Sequence, residues 1–392
     1  MKNPVIFLAI FLSLILSSCH NNEISDYQSA ADSIANKYAP DRRIDLCNIQ
    51  VMKNNGSVVL KGETTVPAAK YALIKALSKH DIKLIDSIIT LPDTSVNKFY
   101  NGLASLSVIN LRKEPDYSAE LVSQSLMGTP VTMLKKQGSW YLVRTPDRYI
   151  AWTESSSLVS LTKVEADDWK RADRVIYMKN TGWIYNENSE ASGVISDIVA
   201  GDILVKNGLS GVYTKVSLPG GREGYIRSND CMDFRKFCNL PPPDGEQIIK
   251  RAVSLLGIPY LWGGTSPKAA DCSGFVQSIY FMNGILLMRD ASLQALHGDS
   301  IDISNGFRNL KKGDLLFFGY KENGREHVIH AAIYMGNNDY INSAGWVMIN
   351  SLDSTKSNFS SYRLNSLLFA RRIIGAKEQH GITRLSGSSL YR

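Results

Sequence analysis

The feature that most restricts the architecture of this chain is an internal repeat near its middle. The segment GTPVTMLKKQGSWYLVRTPDRYIAW (128–152) aligns without a gap with GDILVKNGLSGVYTKVSLPGGREGY (201–225), 73 residues later, so that Trp140 matches Tyr213. Each copy alternates apolar and polar residues in short runs that Gly or Pro separates, a pattern typical of short antiparallel strands. The repeat therefore predicts two small β-barrels in tandem.

A different pattern precedes the repeat, in residues 41–92. RIDLCNIQVM, GSVVLKGET and IKLIDSIITL favour strands, whereas PAAKYALIKALSKH places Ala69, Leu73 and Leu77 at helical spacing. This order predicts a small strand–strand–helix–strand module, to which we assign a positional role. We expect the polar residues 20–40 in front of it to serve in part as a tether.

The remaining boundaries follow from composition. NLPPPDG (239–245) is a rigid proline linker, EQIIKRAVSLLG after it favours a helix, and the polar tail is expected to be disordered. At 392 residues the chain is long enough for several domains. We therefore divide it into a signal peptide, a small α/β module, two barrels, a catalytic domain and a tail, with bounds 1–19, 20–95, 96–162, 163–238, 239–375 and 376–392.

The amino-terminal residues indicate export. VIFLAIFLSLIL has the length of a secretory signal, is too short to span a bilayer comfortably, and is followed by no stop-transfer pattern. LSSC, ending at Cys19, resembles the bacterial lipobox, which implies that Cys19 carries lipid and becomes the first residue of the mature protein. The alternative is an ordinary signal peptide that contains a cysteine. We expect a cell-envelope protein that lipid anchors on the periplasmic or extracellular face of a bacterial membrane.

Charge and motif content exclude several partners. The net charge is +7, but Lys and Arg are scattered and form no basic stripe with interleaved aromatics, so nucleic acid is not an expected partner. No His, Cys, Asp and Glu set has metal-ligand spacing, and neither a phosphate loop nor a dinucleotide fingerprint occurs. We expect no metal, no cofactor and a monomer.

The chain uses cysteine five times. With Cys19 assigned to lipid and Cys272 to chemistry, three remain, which allows at most one disulfide. Cys231 and Cys238 form the local pair that an oxidising envelope could join, and two unpaired thiols are the alternative.

The candidate nucleophile lies in AADCSGFVQSIYF (269–281). Phe275 and Ile279 have helical spacing, so Cys272 falls at the start of a helix with one buried face. Unpaired N–H groups and the partial positive charge of a helix start favour a thiolate and can stabilise an oxyanion. Asp271 is placed as the helix cap and opposes the thiolate slightly, so a basic partner is still required.

That partner is expected to be a histidine. VIHAAIYMG favours a strand in which alternation places His330 on one face with Val328 and Tyr334, and His327 on the other. Across the turn GNND, Asn342 projects from the next strand and can orient the imidazole. A satisfied core histidine is the competing interpretation of His330.

Together, PYLWGGTSPKAADCSGFVQ and GDLLFFG…HAAIYMGNNDYINSAG resemble the NlpC/P60 cysteine peptidases over residues 245–375. The resemblance implies a papain-like α+β domain that cleaves peptidoglycan stem peptides, typically beside γ-linked D-Glu. It implies Cys272 as nucleophile, His330 as base, Asn342 as third residue where many members carry histidine, and Tyr260 with its hydroxyl near the scissile carbonyl. Simple packing is the alternative role for Tyr260.

The barrels resemble bacterial SH3-like domains, and the first module weakly resembles envelope BON-type modules. Two such barrels before this catalytic domain are similar to the γ-D-glutamyl-diamino-acid endopeptidases. That resemblance implies that the first barrel closes one end of the cleft, that the substrate needs a free amino-terminal L-Ala, and that L-Ala-γ-D-Glu is released. The fold class expected is α+β: a papain-like domain preceded by two SH3-like barrels and a small α/β module.

Six residues are candidates for binding the substrate. An amino terminus needs acceptors and an anion, which Asp271 and Ser273 could supply beside the nucleophile. From the first barrel we expect Tyr149 and an acid, Glu120 rather than Glu114. The segment RDASLQA matches a family segment near the cleft, where Asp290 and Ser292 are expected to cap and order a helix.

Two other functions compete with the peptidase. The barrels could bind cell wall while the last domain is inactive, or the papain-like domain could be an amidase or acyltransferase. An intact Cys–His–polar set argues against an inactive domain.

Overall fold

The computed structural model of the protein describes residues 23–378 and 381–392. The predicted signal peptide and Cys19 lie outside the described residues. The chain divides into two compact units, one ending at Asn97 and one spanning Lys98–Arg392. No helix in the described ranges combines the length and apolar character needed to cross a bilayer.

The first unit is a three-stranded sheet with two helices. Its sheet has the order β1-β2-β3, antiparallel between β1 and β2 and parallel between β2 and β3. The elements are helix α1 (23–38), β1 (Cys47–Asn54), β2 (Ser57–Thr64), α2 (Pro67–Leu77) and β3 (Lys83–Thr90). The strand–strand–helix–strand order predicted for residues 41–92 is the order observed.

Helix α1 corrects the expectation that residues 20–40 are in part a tether. Tyr27 and Ala31 are one helical turn apart and buried, and they join Leu60 and Leu73 in the core of this unit. Apolar residues four apart lie on one face of a helix, so this otherwise polar segment has enough apolar surface to pack.

The second unit begins with two seven-stranded antiparallel sheets. The first contains β4 (Asn101–Ala104), β5 (Val108–Arg112), β6 (Leu121–Leu126), β7 (Pro130–Gln137), β8 (Trp140–Arg144), β9 (Ile150–Glu154) and β10 (Leu158–Leu161). After helix α3 (Lys163–Arg171), the second contains β11 (Arg174–Tyr177), β12 (Thr181–Tyr185), β13 (Val194–Val199), β14 (Ile203–Ser210), β15 (Tyr213–Ser217), β16 (Glu223–Arg227) and β17 (Cys231–Asp233).

The two sheets have one topology. The order β10-β4-β7-β8-β9-β5-β6 of the first becomes β17-β11-β14-β15-β16-β12-β13 in the second. Every strand of the second sheet begins 73 residues after its counterpart, as Pro130 and Ile203 illustrate. The offset found in the sequence is therefore kept by all seven strands.

The rest of the unit builds a six-stranded antiparallel sheet with the order β21-β26-β22-β23-β24-β25. Its elements are α4 (Phe234–Cys238), α5 (Gly245–Val253), β18 (Thr265–Ser266), β19 (Ala269–Ala270), α6 (Cys272–Phe281), β20 (Ile285–Leu287), α7 (Ala291–Gln294), β21 (Asp299–Ile301), β22 (Leu315–Glu322), β23 (Arg325–Gly336), β24 (Asp339–Ala344), β25 (Trp346–Ser351), α8 (Ser361–Ser366), β26 (Leu367–Arg372) and β27 (Ile382–Arg384). Helix α6 packs on this sheet through Phe275 and Ile279, which meet Phe317 and Ile333 in the core.

The tail expected to be disordered is ordered from residue 381 to residue 392. Strand β27 pairs with β20, and Tyr391 is buried against Phe234 and Phe281. The Arg174 guanidinium donates to the Tyr391 carbonyl at 2.8 Å. Three apolar residues spaced through a polar sequence, Ile382, Leu385 and Tyr391, provide the buried contacts that composition alone did not reveal.

The cysteines that the structure describes are free thiols: Cys47, Cys231, Cys238 and Cys272. Of the two alternatives for Cys231 and Cys238, the unpaired one is therefore observed.

Candidate active site

Helix α6 holds Cys272 at its first turn. Asp271 caps the helix, its Oδ1 accepting the Gly274 N–H at 2.7 Å. Gly274 has no room for a side chain, because a Cβ there would lie 2.0 Å from the Gly264 carbonyl oxygen. The predicted cap and helix start are confirmed, and they fix the sulfur at the edge of the apolar core, 8% exposed.

The thiol is less acidic than a helix start alone would suggest. Burial, and then the negative charge of Asp271, raise the pKa of Cys272 above its ordinary value. Hydrogen bonds from the backbone N–H groups of Ala331 and Ser273 oppose this rise without reversing it. The expected preference for thiolate is thus outweighed by burial, since an apolar surround disfavours the charged form. A base has to take the proton during attack.

Strand β23 passes the thiol, where the Ala331 N–H bonds the Cys272 sulfur, and it has a bulge just before His330. Phe318 pairs with His330 and Gly319 with Val328, so that Ile329 is the extra residue. Strict alternation was therefore wrong for Val328, which packs with the core around α6, whereas the His330 ring lies 5.7 Å from the Phe318 ring. Bulges commonly re-aim a side chain in this way. The Ala331 N–H that bonds the Cys272 sulfur belongs to the residue after the histidine.

The imidazole is neutral in the folded protein. Burial lowers the pKa of His330 to about 3, the charge of Arg363 lowers it further, and the hydrogen bond that the ring donates to Asn342 opposes the shift. Because the Cys272 pKa is raised and the His330 pKa is lowered, the resting pair is a thiol and a free base.

Asn342 fixes which imidazole nitrogen carries the hydrogen. Its Oδ1 lies 2.9 Å from His330 Nε2, while its Nδ2 donates to the Met348 carbonyl at 3.3 Å and to Asn350 Oδ1 at 2.9 Å. Because both partners of Nδ2 are acceptors, Oδ1 must face the ring, and Nε2 carries the hydrogen. Nδ1 is then the unprotonated nitrogen available for the thiol proton. The sequence analysis missed Asn350, which has no signal of its own in strand β25.

Tyr260 lies at the mouth of the site. Its backbone N–H donates to the Gly345 carbonyl at 2.8 Å. Burial, followed by the charges of Cys272 and Asp271, raises the pKa of the Tyr260 hydroxyl to about 12. The phenol therefore stays protonated near the sulfur, where it can donate a hydrogen bond.

A buried ion pair that the sequence analysis missed supports the helix start. Arg289 Nη1 and Nη2 donate to Asp271 Oδ1 and Oδ2 at 3.1 and 2.5 Å, and Nη1 also meets Ser273 Oγ at 3.0 Å. The Arg289 and Asp271 side chains are 1% and 9% exposed. Asp271 also accepts the Gly263 N–H at 3.0 Å. Its carboxylate is therefore neutralised inside the protein, and Ser273 is engaged with it.

The first seven-stranded sheet contacts this same region. Arg289 Nε donates to Ser123 Oγ at 3.1 Å, and the Thr265 N–H donates to Gln124 Oε1 at 3.1 Å. Trp262 Nε1 donates to Glu120 Oε1 at 2.9 Å. The predicted acid of the first barrel therefore contacts the loop that contains Tyr260, at a residue two positions further along the chain. Glu120 is 42% exposed along its side chain and remains open to solvent.

Tyr149 and Asp290 both lie near Arg289. Burial alone would lower the pKa of Arg289, but Asp271 raises it, and Asp290 and Tyr149 add to that rise. Tyr149 is buried. Asp290 takes the cap position of α7, but its side chain makes no capping hydrogen bond, which corrects the expectation that it caps that helix. Ser292 lies in the first turn of α7, half-buried.

His327 pairs with Tyr320 and His330 with Phe318, so the bulge puts both histidines on one face of the sheet, and the opposite face predicted for His327 is wrong. The His327 ring stacks on Tyr320 with centroids 5.0 Å apart, and its Nε2 lies 3.8 Å from Glu322 Oε2. Within residues 23–378 and 381–392, no group of three or more His, Cys, Asp and Glu side chains is arranged to hold a metal ion.

The site lies in a segment that matches a known family. Residues 257–365 match the NlpC/P60 family, and residues 111–158, within the first seven-stranded sheet, match the bacterial dipeptidyl-peptidase Sh3 domain. The chain is similar to the gamma-D-glutamyl-L-lysine dipeptidyl-peptidase of Bacillus cereus, with 32% identity over 57% of this chain and 67% of the relative. The enzyme of the same description from Bacillus subtilis is 30% identical over 56% of this chain and 71% of the relative.

The fold gives the same assignment. The crystal structure of an NlpC/P60 family protein from Bacillus cereus aligns with a TM-score of 0.60 and 26% identity, over 69% of this chain and 99% of that one. The family match is joined by two relatives that are at least 30% identical and that this chain covers over two thirds or more of their length. The chain therefore belongs to the NlpC/P60 family of cysteine peptidases.

Proposed function

We propose that the protein hydrolyses the bond between γ-linked D-Glu and L-Lys or diaminopimelate in peptidoglycan stem peptides, releasing L-Ala-γ-D-Glu from stems with a free amino terminus. The observation that carries the proposal is the buried Cys272–His330–Asn342 set beside a loop held by the first barrel. The two Bacillus relatives, described as gamma-D-glutamyl-L-lysine dipeptidyl-peptidases, support the choice of bond.

In the acylation half of the reaction, His330 Nδ1 takes the proton of the Cys272 thiol as the sulfur attacks the carbonyl carbon of the γ-glutamyl amide. A C–S bond forms and the carbonyl oxygen becomes an oxyanion. The Tyr260 hydroxyl and the Cys272 backbone N–H are the donors available to it, since the Gly274 N–H is bonded to Asp271. Asn342 accepts the Nε2 hydrogen and keeps Nδ1 directed at the sulfur.

Collapse of this intermediate breaks the C–N bond, and the imidazolium gives its proton to the departing amine of the diamino acid. Water then attacks the thioester while His330 again accepts a proton. The C–S bond breaks, the L-Ala-γ-D-Glu carboxylic acid leaves, and the thiol is restored. Each proton that leaves the sulfur or water passes through one imidazole, and no outside reactant other than water is needed.

Glu120 is the proposed partner of the substrate amine. Asp271 is already neutralised by Arg289, so an ammonium group gains little net charge attraction from it. Glu120 accepts from Trp262 at 2.9 Å and pairs with Lys113 at 3.5 Å, but that ion pair is exposed at the surface and is weak enough for a substrate ammonium to compete with Lys113. An amino terminus that pairs with Glu120 would set the distance from the substrate end to the scissile bond at two residues.

We assign the second seven-stranded sheet, by its shared strand order, to a second SH3-like barrel within 163–238, after the first within 96–162 and before the peptidase domain at 239–375. The amino-terminal module, 20–95, is proposed to place the enzyme relative to its anchor.

The proposal is tested with purified protein and L-Ala-γ-D-Glu-L-Lys. Dipeptide release by the wild type and its loss in Cys272→Ala are expected, and Tyr260→Phe is expected to retain partial activity. The N-acetylated tripeptide should be a poor substrate. Glu120→Gln should lower kcat/KM for the free tripeptide and leave that for the acetylated one unchanged. Tight wall binding with no cleavage by the wild type would instead support an inactive domain, and cleavage of the acetylated peptide at equal rate would remove the role of the amine.

We also propose that Cys19 anchors the protein to an envelope membrane. Metabolic labelling with a radioactive fatty acid should mark the wild type and not Cys19→Ala, and the variant should appear in the soluble envelope fraction. An unlabelled wild type would indicate the ordinary signal peptide instead.

A further inference from the structure

Helix α8 places a cation beside the proposed base. The Arg363 guanidinium carbon lies 5.6 Å from the centroid of the Phe318 ring, and the same ring is 5.7 Å from the His330 ring. The centroid of the Tyr362 ring lies 5.3 Å from the same guanidinium carbon. Ser360 caps the helix by accepting the Arg363 backbone N–H at 3.3 Å. The cation is thus held by aromatic rings and a capped backbone on the side of the imidazole.

No acid neutralises this cation within the part of the chain that the structure describes. Arg289 and Arg372, in the same domain, donate to Asp271 and Asp314 at 2.5 and 2.7 Å. Arg363 has no ion pair and no hydrogen bond from its guanidinium among those residues. A fixed guanidinium with unused donors is a ready receptor for a carboxylate, which it can bind in a bidentate manner.

The position of Arg363 disfavours protonation of His330. Arg363 lowers the pKa of His330, after burial the largest cause of that shift, and it also acts on the pKa of Tyr260 and Tyr340. The charges that act on His330 are Arg363 and Asp271, and Asp271 is already paired with Arg289. An unneutralised cation therefore opposes the imidazolium on which peptide hydrolysis depends, until an anion pairs with it.

We propose that Arg363 is the binding site for a substrate carboxylate next to the scissile amide. The inference rests on the proposed function and adds a specificity-determining residue to it. A γ-linked D-Glu leaves its α-carboxylate free on the acyl side of the bond. A diamino acid at the end of a stem has a free α-carboxylate on the leaving side. Both sources present the same chemistry to the guanidinium.

Three substrates separate the two sources: L-Ala-γ-D-Glu-L-Lys, the same tripeptide with the glutamyl α-carboxyl as a carboxamide, and the same tripeptide with the lysyl carboxyl as a carboxamide. The proteins are full-length wild type, Arg363→Met, Arg363→Lys and the exposed control Arg308→Met. On the free tripeptide, Arg363→Met should lower kcat/KM by about 10- to 100-fold, the range of a charged hydrogen-bonded contact. Arg363→Lys should lose less, and Arg308→Met should match the wild type.

The pattern across substrates decides the proposal. One of the two carboxamide substrates lacks the carboxylate that Arg363 binds. That substrate should have a low kcat/KM with the wild type, and Arg363→Met should not lower it further. An equal loss in Arg363→Met on all three substrates would overturn the proposal in favour of a structural role. Cleavage of none of the three by the wild type would refute the proposed function and the inference with it, so the two failures are distinct.

Discussion

Replacing Arg289 with methionine removes a buried cation from the base of the active site. The change loses two contacts to Asp271 and one each to Ser273 and Ser123. Asp271 keeps the N–H groups of Gly274 and Gly263, but its charge is left unpaired in the interior. Breaking a buried pair by removing one partner typically costs about 3–5 kcal/mol.

That loss should appear in the melting of the unit 98–392. At about 2–4 °C per kcal/mol for a domain of a few hundred residues, Arg289→Met should lower its Tm by about 6–20 °C. Calorimetry gives the shift, and hydrogen exchange should show faster exchange at the start of α6. Because Cys272 follows Asp271 directly, kcat on the tripeptide should fall while the variant is still folded.

Two controls separate burial from charge. Arg171 pairs with Asp168 at the same 2.5 Å, but the two side chains are 69% and 63% exposed, so Arg171→Met should leave Tm unchanged. The double variant Arg289→Met/Asp271→Asn removes both charges and should be more stable than the sum of the single losses predicts. A Tm for Arg289→Met equal to that of Arg171→Met, or additive single losses, would refute the reasoning.

Three further predictions follow from other contacts. The folded pKa of His330, about 3, lies below its unfolded value of about 6.5, so the unfolded chain binds the proton first and the free energy of unfolding falls below about pH 6.5. In urea titrations at pH 6.5 and 4.5, His330→Asn should lose less of this free energy than the wild type. Asn342→Ala should lower kcat about 100-fold or more, and Asn350→Ala by less, in tripeptide assays; equal losses would contradict the orienting role. Removal of 382–392 should lower Tm and speed limited proteolysis; an unchanged Tm would show that the ordered tail adds no stability.

The residues of the site that could be predicted are those whose local pattern is enough. A helical apolar face fixes Cys272 at a helix start, and two strands joined by a short turn bring His330 near Asn342. The two similar sheets could also be predicted, because the 73-residue offset between their strands is visible in the sequence without knowledge of long-range contacts.

The residues that could not be predicted depend on tertiary contacts. Arg289 beside Asp290 looks like a solvated charge pair, and only the packed domain turns it toward Asp271. The bulge at Ile329 has no glycine or proline to mark it, so strict alternation misplaced Val328. Arg363 belongs to a six-residue helix whose relation to the imidazole depends on the ring of Phe318.

The shared topology of the two seven-stranded sheets creates a problem of folding fidelity. A hairpin from one copy has the geometry to complete the other, and strand exchange between neighbouring repeats is a common route to misassembly. Helix α3 stands between the copies, locked at its start by a capping box at Thr162 and at its end by Trp169 under the Arg174 guanidinium, 4.1 Å away. A short rigid spacer of this kind restricts how closely the strands of one copy can approach those of the other. Each strand then meets the strands of its own copy first as the chain emerges.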